Sequence, residues 1–150
     1  MKRIFSFILV AAILFCMIPI HSHAAANQLE TIYFEDGSYM TVEIISKGVR
    51  ASGSVTGSKP YTYYGTDGNA KWKSVITGSF SYSGSSATCT SSSVDVTIFD
   101  SSWYTVSKSA TKSGNTARAS VTIGEKRGGV TVTKVPVSLS LSCDKDGNLS

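Results

Sequence analysis

The chain has 150 residues, 14 basic and 10 acidic side chains and a formal net charge of +4, and this length predicts a single domain. The basic start Met1-Lys2-Arg3, the apolar run from Ile4 to Ile20 and the small residues up to Ala26 are typical of a secretory signal peptide. Cleavage after Ala24 or Ala26 leaves 126 or 124 residues and lowers the net charge to +2, because two basic residues and no acidic residue are removed. Nucleic acid is therefore not an expected partner.

Both histidines, His21 and His23, lie inside this predicted signal peptide. A mature chain without histidine cannot carry out Ser-His-Asp or Cys-His catalysis and cannot form a His-ligated zinc site. Cys16 follows Phe15, whereas a lipid-attachment cysteine needs a small residue before it. We therefore expect a signal peptide over residues 1–26 and a single extracellular, secreted domain over residues 27–150 with no stable membrane anchor.

Turn signals divide the mature chain into short runs in which apolar and polar residues alternate, which is the period of a strand. The first turn, Glu35-Asp36-Gly37-Ser38, contains the Asp-Gly pair that favours a hairpin. The clearest strand runs over residues 70–84 and is expected to point Trp72, Ile76 and Phe80 into the core. The same alternation recurs in three later segments, residues 94–98, 117–123 and 135–143. The pattern predicts an all-β fold of about eight to ten short strands, either an antiparallel β-sandwich or a partly closed barrel.

The hairpin that precedes the Trp72 strand has two possible registers. If its loop spans residues 65–69, two tyrosines and two lysines share an outward face: Tyr61, Tyr63, Lys71 and Lys73. This patch would suit a sugar or an anionic polymer, because rings stack on sugars and ammonium groups attract anions. If the loop is one residue shorter, both tyrosines turn to the core, because a slip of one residue reverses the faces of a strand.

Two cysteines, Cys89 and Cys143, remain after removal of the signal peptide. An even number of cysteines in an exported chain indicates a disulfide bond. This bond would close a loop of 54 residues and would stabilise the fold by roughly 4 kcal/mol.

The acidic residues do not form a recognisable catalytic or metal-binding motif. A glycosidase needs two carboxylates at a fixed separation, and no spacing in the sequence pairs two of them. Residues 144–148 carry oxygen ligands at alternate positions, but Gly147 is the fourth residue of the run, whereas a calcium loop has glycine at its sixth. We therefore expect a polar turn there, no metal, no cofactor and no enzymatic activity.

Several short motifs are spread along the predicted mature chain. They are Lys59-Pro60-Tyr61-Thr62-Tyr63-Tyr64, Trp72, residues 77–84, residues 87–90, Asp100-Ser101-Ser102-Trp103, residues 112–117 and residues 143–150. Together these motifs resemble a group of small secreted bacterial proteins to which no activity is assigned. The resemblance covers nearly the whole mature chain. It implies export, paired cysteines and a single β domain, and it supplies no catalytic or binding residues.

These features predict a secreted, non-enzymatic interaction module that binds an extracellular glycan, a cell-wall polymer or a surface protein. The alternative is a secreted membrane-active effector, either pore-forming or antimicrobial. Residues 116–123 and 130–141 alternate as membrane-spanning strands do, and a basic, glycine-rich tip joins them. Pro136 interrupts the second run, and proline is confined to edges and bulges of sheets.

Overall fold

A computed structural model describes residues 29–51 and 53–150, without the side chains of residues 47–51. The predicted signal peptide, its cleavage sites and Cys16 lie outside these residues. In the described part, nine strands form and no helix is long and apolar enough to span a membrane. The strands are β1 Leu29–Tyr33, β2 Tyr39–Glu43, β3 Ile45–Ala51, β4 Ser54–Tyr64, β5 Ala70–Tyr82, β6 Ala87–Ile98, β7 Trp103–Ser113, β8 Thr116–Arg127 and β9 Val130–Ser142.

The strands form two antiparallel sheets, which confirms the all-β prediction. The first sheet has the order β1-β2-β4-β5-β6, and β3 follows β2 along the same edge of β4. The second sheet has the order β7-β8-β9. Neither sheet closes on itself among the described strands, so these strands form no closed barrel. Tight turns join neighbouring strands, and Gly37 and Gly68 supply the positive φ angles of +86° and +74° that two of these turns require.

Side chains from both sheets meet in one hydrophobic core. Trp72, Ile76 and Phe80 are at most 1% exposed, which confirms the inward face predicted for β5. The second sheet contributes the inward residues of β8 and β9: Ala117, Ala119, Val121, Ile123, Leu139 and Leu141. Burying a large apolar side chain contributes about 1.5–3 kcal/mol, so these strands hold the two sheets together.

A β-bulge decides the register of the β4–β5 hairpin. Tyr64 is opposite Ala70, as the longer loop predicts, but Tyr63 is already opposite Trp72. Lys71 is therefore the extra residue of β5, and it reverses the relation between the faces of the two strands. The carbonyl of Lys71 accepts hydrogen bonds from the backbone N–H groups of Phe99 and Asp100, at 2.9 and 3.1 Å, which holds the bulge in place.

The predicted disulfide bond is wrong, because Cys89 and Cys143 are not at bonding distance. Both cysteines are buried, but the turn between β7 and β8 lies between their backbones. The N–H of Cys89 donates to the carbonyl of Gly114 at 2.7 Å, and the N–H of Cys143 donates to the carbonyl of Asn115 at 3.0 Å. Each thiol also lies near a backbone oxygen, Cys89 Sγ at 3.2 Å from that of Ser91 and Cys143 Sγ at 3.4 Å from that of Asp144.

Candidate binding cleft

Three chain connections and the β8–β9 hairpin surround a cleft of about 480 Å³ at one end of the two sheets. The connections are the β1–β2 turn, the β4–β5 loop and the link between β6 and β7. The volume falls within the range of small-molecule sites. Its lining consists of Asp36, Ser38, Tyr63, Gly65, Thr66, Asp67, Lys71, Asp100, Ser102, Trp103, Glu125, Arg127, Thr133 and Val135.

Two aromatic rings, those of Tyr63 and Trp103, line the inner part of the cleft. The ring of Tyr63 stacks on that of Trp72 with a centroid distance of 5.3 Å and an interplanar angle of 13°. The ring of Tyr63 is also tilted against that of Trp103, with a centroid distance of 5.4 Å and an interplanar angle of 57°. We call Tyr63, Trp72 and Trp103 the inner aromatic cluster. Because packing fixes all three rings, the aromatic part of the cleft is formed before any ligand arrives.

Lys71 crosses the cleft and joins two of its walls. Its ammonium group lies 2.8 Å from a carboxylate oxygen of Asp67 and 3.1 Å from one of Asp100. The hydrogen bond to Asp67 is the main cause that raises the pKa of Lys71. The same bond lowers the pKa of Asp67 well below its usual range. The positive charge of Lys71 is therefore already matched by two carboxylates of the protein.

Asp36 and Asp100 build their turns in the same way. Asp36 accepts hydrogen bonds from the backbone N–H and the hydroxyl of Ser38, and Asp100 accepts the same pair from Ser102. The Ser102 hydroxyl is the largest cause that lowers the pKa of Asp100 to about 2, and the Ser38 hydroxyl likewise lowers that of Asp36. Hydrogen bonds to a carboxylate favour its ionised form, so both carboxylates are negative at neutral pH.

The remaining charged pair comes from the end of β8. Arg127 Nε donates to a carboxylate oxygen of Glu125 at 3.0 Å. The arginine side chain is 75% exposed, whereas that of Glu125 is 16% exposed. The guanidinium therefore lies at the rim. With it, the lining carries four carboxylates and two cations, so the cleft is net negative.

The outward patch expected from the sequence does not form. Tyr61 and Tyr63 are directed to the core and pack against it, because the bulge at Lys71 places them on the Trp72 side of the sheet. Lys73 is on the opposite face, where it pairs with Thr62 of β4 on one side and with Thr97 of β6 on the other. Only Tyr63 and Lys71, of these four residues, line the cleft. Burial is the largest cause that raises the pKa of Tyr61.

The sequence pattern did not predict that the cleft carboxylates lie close to one another in the fold. It assigned Asp36 and Asp67 to turns and Asp100-Ser101-Ser102 to a break between strands, which is correct in each case. The missed signal is a pattern in which Asp is followed two positions later by Ser or Asn. It occurs once away from the cleft, at Asp146-Gly147-Asn148, and three times at the cleft: Asp36-Gly37-Ser38, Asp67-Gly68-Asn69 and Asp100-Ser101-Ser102. Such side chains bond the backbone two residues on, and the chain carries these three turns to the same end of the fold.

No protein-family model matches the chain, and neither a curated protein nor a solved structure is significantly similar to it. A fold alone does not imply a function. The function is therefore argued from the cleft.

Proposed function

We propose that the two sheets form a β-sandwich and that the chain is a secreted, non-enzymatic module that binds an extracellular glycan in the cleft. The observation that carries the proposal is the combination of a fixed aromatic wall, Tyr63 and Trp103, with a polar rim in a cleft of about 480 Å³. Sugars present apolar C–H faces and many hydroxyl groups. A site for them needs both an aromatic surface and well-placed hydrogen-bonding groups.

The charges favour a neutral or amine-bearing glycan over an anionic polymer. Lys71 is held by Asp67 and Asp100 at 2.8 and 3.1 Å, and Arg127 is held by Glu125. A second anion at Lys71 would have to compete with two carboxylates that are already in place. Arg127 binds only Oε1 of Glu125, which leaves Oε2 without a hydrogen-bond donor among the described residues, and ionised carboxylate oxygens accept bonds from hydroxyl or ammonium groups.

The state of three of the four cleft carboxylates supports binding without catalysis. Glycoside hydrolysis needs one carboxyl group that stays protonated near neutral pH and acts as the general acid. In the cleft, the pKa values of Asp36, Asp67 and Asp100 are all lowered. Their oxygens hold the turns and Lys71, so these three side chains support the site.

The test is a variant that fills the cleft without changing the core. Thr66 is an exposed lining residue in the β4–β5 loop, so Thr66→Trp should block the cleft. Ser85→Trp, in the turn between β5 and β6 at the other end of β5, is the matched control. Binding of the mature protein to neutral, amine-bearing and acidic oligosaccharides on an array, followed by calorimetry on the best binder, gives the readout.

We expect the wild type and Ser85→Trp to bind the same neutral or amine-bearing oligosaccharide and Thr66→Trp to lose at least tenfold in affinity. Equal binding by all three proteins would place the glycan site elsewhere. Binding of acidic oligosaccharides alone would contradict the charge argument.

One observation favours the membrane-active alternative. The β8–β9 hairpin ends in a tip where Val130 and Val132 are 67% and 50% exposed. Lys126, Arg127 and Lys134 flank these valines in the sequence. Apolar side chains among cations suit the surface of an anionic membrane. Dye release from anionic vesicles tests this function: release by the wild type but not by Val130→Ser/Val132→Ser would support it over glycan binding.

A further inference from the structure

Strand β1 is the open edge of the first sheet. Among the described residues it pairs only with β2, and all five of its residues are exposed. Leu29 and Tyr33 are 65% and 76% exposed and are among the most exposed large apolar residues of the described part. Edge strands are usually protected by short length, charged side chains (above all lysine), proline or a bulge. The edge strand β7 carries Lys108 and Lys112, whereas the five residues of β1 include neither lysine nor proline, and their one charged residue, Glu30, is on the face opposite to that of Leu29, Thr31 and Tyr33.

The backbone of β1 presents a defined set of free hydrogen-bonding groups. The N–H of Phe34 donates to the carbonyl of Ser38 at 2.9 Å at the end of the β1–β2 hairpin. Hydrogen-bonded and non-hydrogen-bonded pairs alternate along an antiparallel ladder. Counting back from Phe34, the backbone groups of Tyr33, Thr31 and Leu29 point away from β2. One strand can therefore add to this edge through three residues.

We propose that a second copy of this chain binds at β1, antiparallel, with a two-fold axis through Thr31. In this register Thr31 pairs with Thr31 of the second copy, and Leu29 pairs with Tyr33 in both directions. The three residues of each strand whose backbone groups point away from β2 then form hydrogen-bonded pairs. The first sheet of one copy continues into the first sheet of the other.

Neighbouring registers are worse for stated reasons. A shift that pairs Leu29 with Thr31 puts Glu30 opposite Glu30, and like charges directly opposite each other are destabilising. A shift that pairs Thr31 with Tyr33 leaves Leu29 of each copy without a partner and reduces the hydrogen-bonded pairs from three to two. A shift of one residue places residues whose backbone groups point away from β2 opposite residues whose backbone groups are already bonded to β2, so the two strands cannot form hydrogen-bonded pairs.

The outer side chains are complementary in the proposed register. The ring centroids of Tyr33 and Tyr39 are 5.9 Å apart. The ring of Tyr39 stacks on that of Tyr64 with a centroid distance of 4.7 Å and an interplanar angle of 8°. We call Tyr33, Tyr39 and Tyr64 the tyrosine ladder. Leu29 of the second copy would cover the exposed end of this ladder, at Tyr33. Apolar residues that are exposed in one chain would thus cover each other in the pair.

A row of threonines, one on each of three neighbouring strands, also meets its counterpart at the same axis. Thr31 is opposite Thr41, and Thr41 is opposite Thr62. Pairing at Thr31 joins the rows of two copies into six threonines, and threonine pairs across strands are favourable. This agreement in both rows is the reason that the proposed partner is a second copy and not another protein. A five-residue strand buries less than the ~1,200 Å² of a stable complex, so the dimer is reversible and concentration-dependent.

Cysteine trapping tests the proposal with the mature protein. In a hydrogen-bonded antiparallel pair the Cα atoms are ~5.5 Å apart, which a disulfide can span, so Thr31→Cys should form a covalent dimer under mild oxidation. Ser138→Cys, on an exposed position of β9, is the matched control, and the wild type shows what the two natural cysteines contribute. We expect at least a tenfold excess of dimer for Thr31→Cys over both. Equal dimer fractions in Thr31→Cys, Ser138→Cys and the wild type would overturn the proposal, and so would a monomer in all three. Either result is also what we expect if the edge binds another protein instead of a second copy.

A charge exchange tests the register. Leu29→Lys/Tyr33→Lys and Leu29→Asp/Tyr33→Asp should each be monomeric in sedimentation velocity, because like charges then face each other across the axis. An equimolar mixture should form a mixed dimer, because every lysine then faces an aspartate. Circular dichroism checks that each variant keeps the strand content of the wild type. Folded variants that do not associate on mixing, or that each still self-associate, would contradict the register.

Discussion

The inner aromatic cluster and the tyrosine ladder contain neighbouring residues, yet they have different roles. Tyr63 is directed inward, stacks on the buried ring of Trp72 and lines the cleft. Tyr64 is directed outward and stacks on Tyr39 with an interplanar angle of 8°. Successive residues of a strand face opposite sides of the sheet. The comparison shows that the same side chain supports core and cleft at one position and shapes an exposed surface at the next.

The largest difference between the two groups should be in stability, and Trp72 is the residue that shows it. Trp72 is 0% exposed, and truncating a buried Trp costs ~3–5 kcal/mol because it leaves a cavity. Trp72→Ala should lower the free energy of unfolding by about that amount in urea denaturation. Tyr39→Ala in the tyrosine ladder is the control, with an expected loss of ~0.5–1.5 kcal/mol for its ring contacts. Equal losses would mean that the two groups do not differ as described.

A smaller contrast is expected between the adjacent tyrosines. Tyr63→Leu removes the ring that contacts both Trp72 and Trp103, so it should weaken oligosaccharide binding and lower stability by ~1–2 kcal/mol. Tyr64→Leu should leave binding unchanged and cost less than ~1 kcal/mol. Calorimetric titration and thermal unfolding of both variants give the two readouts. A loss of binding in Tyr64→Leu alone would move the site to the outer face.

The smallest effect concerns the ion pairs of the cleft and depends on pH. The pKa of Asp100 is lowered to about 2 from an ordinary value of 3.8, so its ionisation stabilises the fold above pH ~4. This stabilisation is lost as the pH falls from about 4 towards 2. Asp100→Asn should therefore lower the melting temperature at pH 6 and have little effect at pH 2.

Asp95→Asn, whose carboxylate is 83% exposed, is the control for this pH dependence and should have little effect at either pH. A loss in Asp100→Asn that is the same at pH 2 and pH 6 would show that Lys71 and Ser102 do not act through the charge of Asp100.

The alternation in the sequence was sufficient to predict an all-β chain and the core face of β5, because one buried side forces apolar residues to every second position, but it indicated no strand over β7. It could not predict the bulge at Lys71. The bulge depends on hydrogen bonds from Phe99 and Asp100 to the Lys71 carbonyl and on the ion pair between Lys71 and Asp100. These residues are far apart in the sequence, so only the tertiary fold brings them together.

The same limit explains the cysteines and the cleft. Counting Cys89 and Cys143 indicated a bond, but the count does not show that the turn at Gly114 and Asn115 lies between them. Asp36, Asp67 and Asp100 were recognisable one by one at turns or breaks between strands. Their convergence at one end depends on how the chain passes from the first sheet to the second, and the local pattern does not contain that information.

The central claim, that the cleft binds a glycan, is tested most directly by nuclear magnetic resonance of the labelled mature protein during titration with the best oligosaccharide from the array. Binding in the cleft predicts that the largest chemical-shift changes fall on Tyr63, Thr66 and the Trp103 indole, while the tyrosine ladder is unaffected. Changes confined to Tyr33, Tyr39 and Tyr64 would contradict the claim, because the ligand would then lie on the outer face of the sheet.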